Sequence, residues 1–274
     1  MTFAYSAHSR TFHREISGSS TAAPRTTPLL SVRGLDKAFG GIHACHQVHL
    51  DIYPGETHAI IGPNGAGKTT LISLLCGTLK PDRGEIVFED RPITRLPVWR
   101  RSRLGLARSF QITSVFTDMT VLENVALAVQ AHEGHSFRFW ARADRDTGLR
   151  DKALGVLART ALADRAGDSA SSLSHGEQRQ LEIALVLATE AKLLLLDEPM
   201  AGMGREESAA MVTLIGRLKS EGKTILLIEH DMNAVFALAG RISVLVYGRI
   251  IHTGTPEEVR TNRAVQRAYL GEEP

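Results

Sequence analysis

Short apolar runs alternate along the chain with segments of helical period. The runs typical of strands are LLSVRG, VHLDIY, THAII, EIVFED, LLLLDE, TILLIEH, RISVLVY and RIIHTG. This alternation predicts an α/β fold. LLLLD and TILLIEH are apolar almost throughout, as parallel strands covered on both faces are, whereas VHLDIY alternates as an antiparallel strand does. The pattern therefore predicts a mixed β-sheet core with an antiparallel edge.

Helical signals dominate between about residues 112 and 190, where strand signals vanish. VLENVALAVQ and the stretch around DKALGVLART carry the helical period, while HEGHSFRFWARADRDTG has no clean period and is expected to be an irregular excursion. We expect a helical subdomain inserted between core strands at about 112–190 and a helical tail at about 256–274. Residues 1–28 lack the apolar segment of a secretory signal and are expected to be a flexible extension of one domain at 29–274.

The octet LSHGEQRQ at 173–180 places a serine, a histidine and a glutamate close together. A hydrolase triad is a poor interpretation, because helical residues one or two apart point away from each other. The S-x-x-E spacing of Ser174 and Glu177 instead predicts a capping box that opens an amphipathic helix. Such a helix end attracts anions, since its first amides have no intrahelical partner. An ordinary capped helix is the alternative.

The segment GPNGAGKTT follows the strand THAII and precedes the helical LISLLCG. It matches the phosphate-binding pattern G-x-x-x-x-G-K-[ST], with Lys68 and Thr69 as its last two positions. The amides of such a loop face a β-phosphate, the lysine contacts the β and γ oxygens, and the threonine hydroxyl is available to Mg²⁺. The residues expected to bind ATP here are Gly62, Pro63, Asn64, Gly65, Ala66, Gly67, Lys68, Thr69 and Thr70.

Two later strands end in polar side chains. LLLLDE ends in Asp197, suited to holding magnesium, and in Glu198, suited to orienting and deprotonating water. TILLIEH ends in His230, which could donate to a γ-phosphate. Taken alone, the acidic pair could be a solvated strand end and the histidine could be structural.

Net charge and cysteine content limit the possible partners and the cellular compartment. The net charge of +2 is too small for a surface that grips nucleic acid throughout, so a charged partner must meet a local patch. One such patch has six arginines and no acidic residue and could face lipid heads, carboxylates or phosphates, or be a solvated helix face: Arg91, Arg95, Arg100, Arg101, Arg103 and Arg108. The two cysteines indicate a reducing compartment. A metal site at His43, Cys45 and His49 is a weak alternative, because no carboxylate supports it.

Five motifs in one order resemble the nucleotide-binding subunit of an ATP-binding-cassette (ABC) transporter. They are GPNGAGKTT, RSFQ, LSHGEQRQ, LLLLDEP and IEH, within about residues 28–270. The resemblance implies two subunits facing head to tail, each holding ATP between its own phosphate loop and the other's LSHGEQ. It also implies that Phe39 stacks on adenine and that Gln111 links magnesium and the attacking water to the membrane partner.

By the same resemblance, the octet LSHGEQRQ would bind the ATP held by another subunit. Ser174, Gly176 and Glu177 would belong to the part that grips its γ-phosphate. His175 and Glu177 depart from the commoner LSGGQ form. Similar replacements are seen among importer ATPases of the branched-chain amino acid type.

Two longer segments narrow the likeness to high-affinity branched-chain amino acid importers: ARSFQITSVFTDMTVLENV, and the C-terminal part from EHDMNAVF to AYLGEE. Related importers of urea or amides have similar segments. The implied partners are permease subunits, a second ATP-binding subunit and a periplasmic solute-binding protein, at the cytoplasmic face of the membrane. A soluble cassette ATPase acting on DNA or ribosomes is the alternative, although such proteins usually carry paired cassettes or long coiled coils. A nucleotide-binding regulator without turnover is disfavoured by Glu198 and His230.

Gly204, in DEPMAGMG, stands where the family usually has an aspartate in the loop that crosses the dimer. Loss of that carboxylate removes a hydrogen-bond acceptor near the other subunit's nucleotide, so we expect weaker coupling between the two ATP sites or pairing with a different subunit. Gly204→Asp should then change the rate or the cooperativity of ATP hydrolysis in the assembled transporter. An unchanged dependence of phosphate release on ATP concentration would contradict this expectation.

Overall fold

The computed structural model describes residues 27–109, 115–133 and 147–270. Its strands are β1 (Leu30–Phe39), β2 (Ile42–Ile52), β3 (Thr57–Ile61), β4 (Arg83–Phe88), β5 (Arg91–Pro92), β6 (Leu106–Arg108), β7 (Leu193–Asp197), β8 (Thr224–Ile228), β9 (Arg241–Val246) and β10 (Arg249–Gly254). Its helices are α1 (Lys68–Cys76), α2 (Val98–Arg103), α3 (Val121–Glu133), α4 (Thr147–Arg159), α5 (His175–Ala188), α6 (Arg205–Ser220), α7 (Met232–Leu238), α8 (Pro256–Thr261) and α9 (Arg263–Leu270).

The strands form two sheets. The first is antiparallel, in the order β2-β1-β4-β5, and the second has the order β10-β9-β3-β8-β7-β6. In the second sheet β10 pairs antiparallel with β9, and the remaining pairs are parallel. The α/β fold, with a mixed core sheet and an antiparallel edge, is therefore as the hydrophobic pattern predicts. Two short strands, β5 and β6, gave no signal in that pattern.

The parallel strands are buried because helices cover both faces of their sheet. All five positions of β3, β7 and β8 are buried. One apolar cluster joins α1 and the antiparallel sheet to the core sheet, and another packs α5, α6 and α7 against β7 and β8. Burial on both faces explains why these strands are apolar at every position rather than at alternate ones.

The helices between β6 and β7 have a core of their own. Val121 and Val125 of α3, Leu157 of α4 and Leu181 of α5 are buried together. Single-turn 3₁₀ helices at Ala163–Arg165 and Ala170–Ser172 connect α4 to α5. The limits of the predicted subdomain remain a prediction, as do those of the N-terminal extension and the helical tail. In the part of the chain that the structure describes, no helix is both long enough and apolar enough to cross a bilayer.

The weak metal alternative on β2 fails on geometry. Cys45 is fully buried, whereas His43 and His49 are exposed. The β1–β2 register shifts between Leu35 and Ala38, and this irregularity breaks the simple alternation that would place all three side chains on one face. Burial also raises the pKa of the Cys45 thiol to about 12, so it is a poor metal ligand.

Arg101 caps the C-terminal end of α1 with a buried side chain. Its side chain is buried, and its Nη1 donates to the carbonyl oxygens of Leu74 at 2.7 Å and Leu75 at 2.6 Å. Its Nε and Nη2 donate to Leu96 and Thr94 in the segment before α2. A cation at a helix C-terminus opposes the partial negative charge of the last carbonyls. Arg101 is therefore a structural residue and does not belong to any exposed basic patch.

We expect Arg101→Met to lower the free energy of unfolding by about 3 kcal/mol, because it removes four hydrogen bonds of a buried guanidinium, two of them to the buried carbonyls of Leu74 and Leu75. Urea unfolding followed by circular dichroism measures the change. Arg100→Met is the matched control, since Arg100 is exposed and lies over the Trp99 ring at 5.0 Å. The control should stay within about 0.5 kcal/mol of the parent. Equal effects of the two variants would contradict the structural role of Arg101.

Candidate nucleotide-binding and hydrolysis site

The loop of residues 62–67 connects β3 to α1 and lies tightly against neighbouring backbone. A Cβ added at Gly62 would lie 2.0 Å from the carbonyl oxygen of Leu245, and one at Gly67 would lie 2.0 Å from that of Ala44. Glycine is therefore the residue that fits at both positions. Gly67 precedes α1 with a φ of 105° and has no side chain to cap the helix. The first amides of α1 are left for another acceptor, which makes this helix end suited to an anion.

Lys68 folds back across this loop. Its side chain is buried, and Nζ donates to the carbonyl oxygens of Gly62 at 2.6 Å and Pro63 at 3.1 Å. Burial lowers the pKa of Lys68, while the nearby carboxylates of Glu198 and Asp197 raise it. The ammonium group is thus bonded to the loop and attracted by the charge of both carboxylates.

The remaining predicted loop residues surround this lysine in the chain. Asn64, Gly65 and Thr69 are exposed, and Thr70 is half-buried at the start of α1. The Ala66 N–H donates to the Pro63 carbonyl at 3.1 Å, which rounds the loop, and the Gly248 N–H donates to the Ala66 carbonyl at 2.9 Å. The exposed hydroxyl of Thr69, on the first turn of α1, has the chemistry of an oxygen ligand for magnesium.

Acidic and imidazole groups meet where β7 and β8 end. Asp197 is the last residue of β7, lies opposite Ile228 of β8, and is only 2% exposed. Glu198 follows with a φ of 50°, its amide donating to the Ile228 carbonyl at 2.9 Å. Its Oε1 lies 2.6 Å from Nε2 of His230. Because an ionised carboxylate only accepts hydrogen bonds, Nε2 carries the proton in this pair.

Two residues of this site carried no recognised signal in the sequence. Glu229 is buried and accepts hydrogen bonds from the amides of Met200 and His230, both at 2.9 Å, so it ties the segments after β7 and β8 together. Arg108 of β6 donates from Nη2 to Oδ2 of Asp197 at 2.7 Å. Arg108 stood out only as one of six arginines, because its acidic partner lies 89 positions along the chain.

These groups fit a magnesium nucleotide. The open amides of α1 and the Lys68 ammonium provide donors and positive charge for a polyphosphate. The Thr69 hydroxyl and the Asp197 carboxylate are the oxygen ligands that Mg²⁺ prefers. Glu198, paired with His230, is a base at the edge of the same sheet.

The residue predicted to stack on adenine is exposed. Phe39 ends β1 with 52% of its surface exposed, and the Lys37 ammonium lies 5.6 Å from its ring centre. An exposed ring of this kind is available for stacking on a base. Gln111 lies outside the described residues.

The capping box predicted for LSHGEQRQ is present at the start of α5. The Glu177 amide donates to Ser174 Oγ at 3.2 Å, and the Ser174 amide donates to Glu177 Oε2 at 2.8 Å. The other carboxylate oxygen of Glu177 accepts from Arg165 at 2.5 Å. The Gly176 amide donates to Oε1 of Glu207 at 3.2 Å. Among the described residues, none of these bonds involves the loop before Lys68.

A mostly apolar groove of about 470 Å³ lies between α2, α3, α5 and β6. Its lining includes Val98, Phe116, Leu127, Leu185 and Arg108. Val98, Phe116 and Leu127 are exposed at 40%, 56% and 39%. Since Arg108 also binds Asp197, one side chain connects this groove to the proposed magnesium site.

Comparison with known proteins agrees with this geometry. The ABC transporter family matches residues 45–201, and the family described as branched-chain amino acid ATP-binding cassette transporter matches residues 249–274. The chain is 42% identical to the high-affinity branched-chain amino acid transport ATP-binding protein LivG of Escherichia coli K12, over 89% of this chain and 98% of LivG. It is 38% identical to BraF of Pseudomonas aeruginosa, over 89% of this chain and 98% of BraF.

Solved structures show the same fold. A nucleotide-free ATP-binding cassette from an ABC transporter superposes with a TM-score of 0.78 at 29% identity, covering 90% of this chain and 100% of that one. The cassette MJ0796, dimeric in a post-hydrolysis state with ADP and Pi, superposes with a TM-score of 0.69 at 25% identity, covering 83% of this chain and 98% of that one. The chain therefore belongs to the ABC transporter family, as an ATPase subunit similar to the ATP-binding proteins of branched-chain amino acid transport.

Proposed function

We propose that this protein hydrolyses ATP to energise uptake of a branched-chain amino acid, or of a related amino acid, amide or urea. It would act at the cytoplasmic face of a membrane with permease subunits, a second ATP-binding subunit and a periplasmic solute-binding protein. The observation that carries the proposal is the meeting of Lys68, Asp197 and the Glu198–His230 pair at one edge of the core sheet. The likeness to LivG along most of the chain supports the choice of solute.

Each residue then has a role set by its position. The amides of the loop and Lys68 bind the phosphates, while Thr69, Asp197 and Gln111 would hold magnesium. When bound, Mg²⁺ would neutralise charge on the phosphate oxygens. Glu198 accepts the proton of the attacking water.

His230 acts on the same water through Glu198. Its Nε2–H donates to Glu198, which orients the carboxylate. On the opposite side, Ser174 Oγ and the Gly176 amide would bind the γ-phosphate of the nucleotide held by the second subunit. Glu177 keeps that helix end formed through its capping bond.

The groove beside α2 and α3 fits a short segment of the permease. Its lining supplies exposed apolar contacts, and the exposed arginines Arg100 and Arg103 of α2 both lie over the Trp99 ring. This basic, aromatic rim adjoins the groove because Val98 and Ser102 of the same helix line it. We therefore expect a permease segment that buries apolar side chains in the groove and places acidic ones against the rim.

Glu198→Gln should still bind ATP but hydrolyse it at least about a hundredfold more slowly, because glutamine cannot accept the proton of water. Phosphate release with magnesium measures turnover, and a fluorescent ATP analogue measures binding. Glu257→Gln, which changes an exposed carboxylate of α8, is the control and should match the parent. Turnover at the parental rate in Glu198→Gln would show that another group is the base.

Leu127→Asp should abolish co-purification with the permease from detergent-solubilised membranes, since it places a charge in an apolar groove. Ile251→Asp is a closely matched control, because Ile251 of β10 is exposed at 40% against 39% for Leu127 and does not line the groove. Both variants should retain ATP binding. Recovery of the permease with both variants would place its docking site elsewhere, and recovery of ribosomes without permease would contradict the transport function.

A further inference from the structure

One carboxylate joins the start of α5 to the start of α6. Glu207, on the first turn of α6, accepts the Gly176 N–H at Oε1, at 3.2 Å. Its Oε2 accepts the Gly204 N–H, at 3.3 Å. Gly176 and Glu207 are 31 positions apart in the chain, so this contact is tertiary. It places an anion on an amide that the proposed function assigns to a phosphate.

Glycine makes this contact possible at Gly176. A Cβ at Gly176 would lie 2.8 Å from Oε1 of Glu207, so any larger residue would push the carboxylate away. Gly204 has no side chain to cap α6, so Glu207 supplies the reciprocal half of the cap by binding the Gly204 amide. The same carboxylate therefore binds a backbone amide at the start of each helix.

The same two segments also lie close together at a second point. A Cβ at Gly202 would lie 3.5 Å from Cε1 of His175, which places the first residue of α5 against the turn before α6. That turn begins directly after Glu198 and Pro199, and the Met203 amide donates to the Met200 carbonyl within it. A shift at the start of α5 is thus passed to the segment that follows the proposed base.

We infer that Glu207 is a positioning residue that occupies the Gly176 amide until a phosphate oxygen from the nucleotide of the second subunit replaces it. This inference rests on the proposed function, in which the start of α5 binds that phosphate. An N–H group donates one good hydrogen bond, so the two acceptors compete for it. The Glu207 carboxylate and the phosphate are both anions attracted to the start of α5. Placed at the same amide, they repel each other.

Displacement of Glu207 has a defined consequence. Its second oxygen still holds Gly204, so movement of the carboxylate moves the start of α6 and the turn after Glu198. Binding of the nucleotide held by one subunit would then shift the segment next to Glu198 of the other subunit. This route does not need an aspartate at position 204, where this chain has glycine.

The test measures pairing of the full chain driven by magnesium and adenylyl imidodiphosphate, an ATP analogue that resists hydrolysis. Glu207→Gln should lower the analogue concentration for half-maximal dimer, in sedimentation velocity, by about fivefold, because it removes the competing charge. Nucleotide affinity of the monomer, measured at low protein concentration, should not change. Glu206→Gln, an exposed carboxylate on the same turn, is the matched control and should pair like the parent.

A second variant distinguishes competition for the Gly176 amide from a loss of packing around Glu207. Glu207→Asp keeps the charge but is one methylene shorter, so it should release the Gly176 amide and speed its hydrogen exchange in the nucleotide-free chain. Its pairing should fall between those of the parent and Glu207→Gln. A purely structural role for Glu207 would instead weaken pairing in both variants.

Unchanged or weaker pairing of Glu207→Gln, with normal nucleotide binding, would overturn the inference and leave the proposed function intact. If the parent chain failed to bind nucleotide, the proposed function itself would fail and the inference with it, whereas nucleotide binding without pairing in the parent and in every variant would overturn the inference alone. These results are distinguishable because binding and pairing are measured separately.

Discussion

The site depends on three buried parallel strands ending together at one edge of the core sheet. β3 leads into the loop before Lys68, β7 ends at Asp197, and β8 ends one residue before Glu229. Because β3 and β7 both pair with β8, the groups that follow them are brought to one place by backbone hydrogen bonds. The chemistry therefore rests on strand register.

Charge is balanced locally around this edge. Lys68 is buried beside the carboxylates of Asp197 and Glu198, and Arg108 neutralises Asp197 from the side of the groove. Buried charges of one sign are costly unless they are paired, so these contacts hold the carboxylates in place. A nucleotide with its magnesium brings new charges of both signs into this balance. The Arg108–Asp197 bond is consequently the point at which an occupant of the groove and a ligand of the phosphate site can affect one another.

The starts of α1 and α5, which we propose to bind phosphate, are arranged in opposite ways. α1 begins at Gly67, which offers no cap and leaves the first amides open. α5 begins at a complete capping box, and its Gly176 amide is bonded to Glu207. An open helix end accepts phosphate directly, whereas an occupied one must first give up its internal acceptor. This difference suits a site that binds nucleotide within one chain first and is completed only when a second chain arrives.

The sequence alone determined the features that rest on local pattern. The continuous apolar runs predicted the parallel strands, the S-x-x-E spacing predicted the cap of α5, and the motif order indicated the ABC family. Only the tertiary structure assigned Arg101 to the end of α1, Arg108 to Asp197 and Glu207 to Gly176. These partners lie 26 to 89 positions apart, at distances where neither strand nor helix periodicity carries information. The same holds for β2, where irregular pairing with a neighbouring strand, and not the alternation of its own residues, decided that Cys45 is buried while His43 and His49 face solvent.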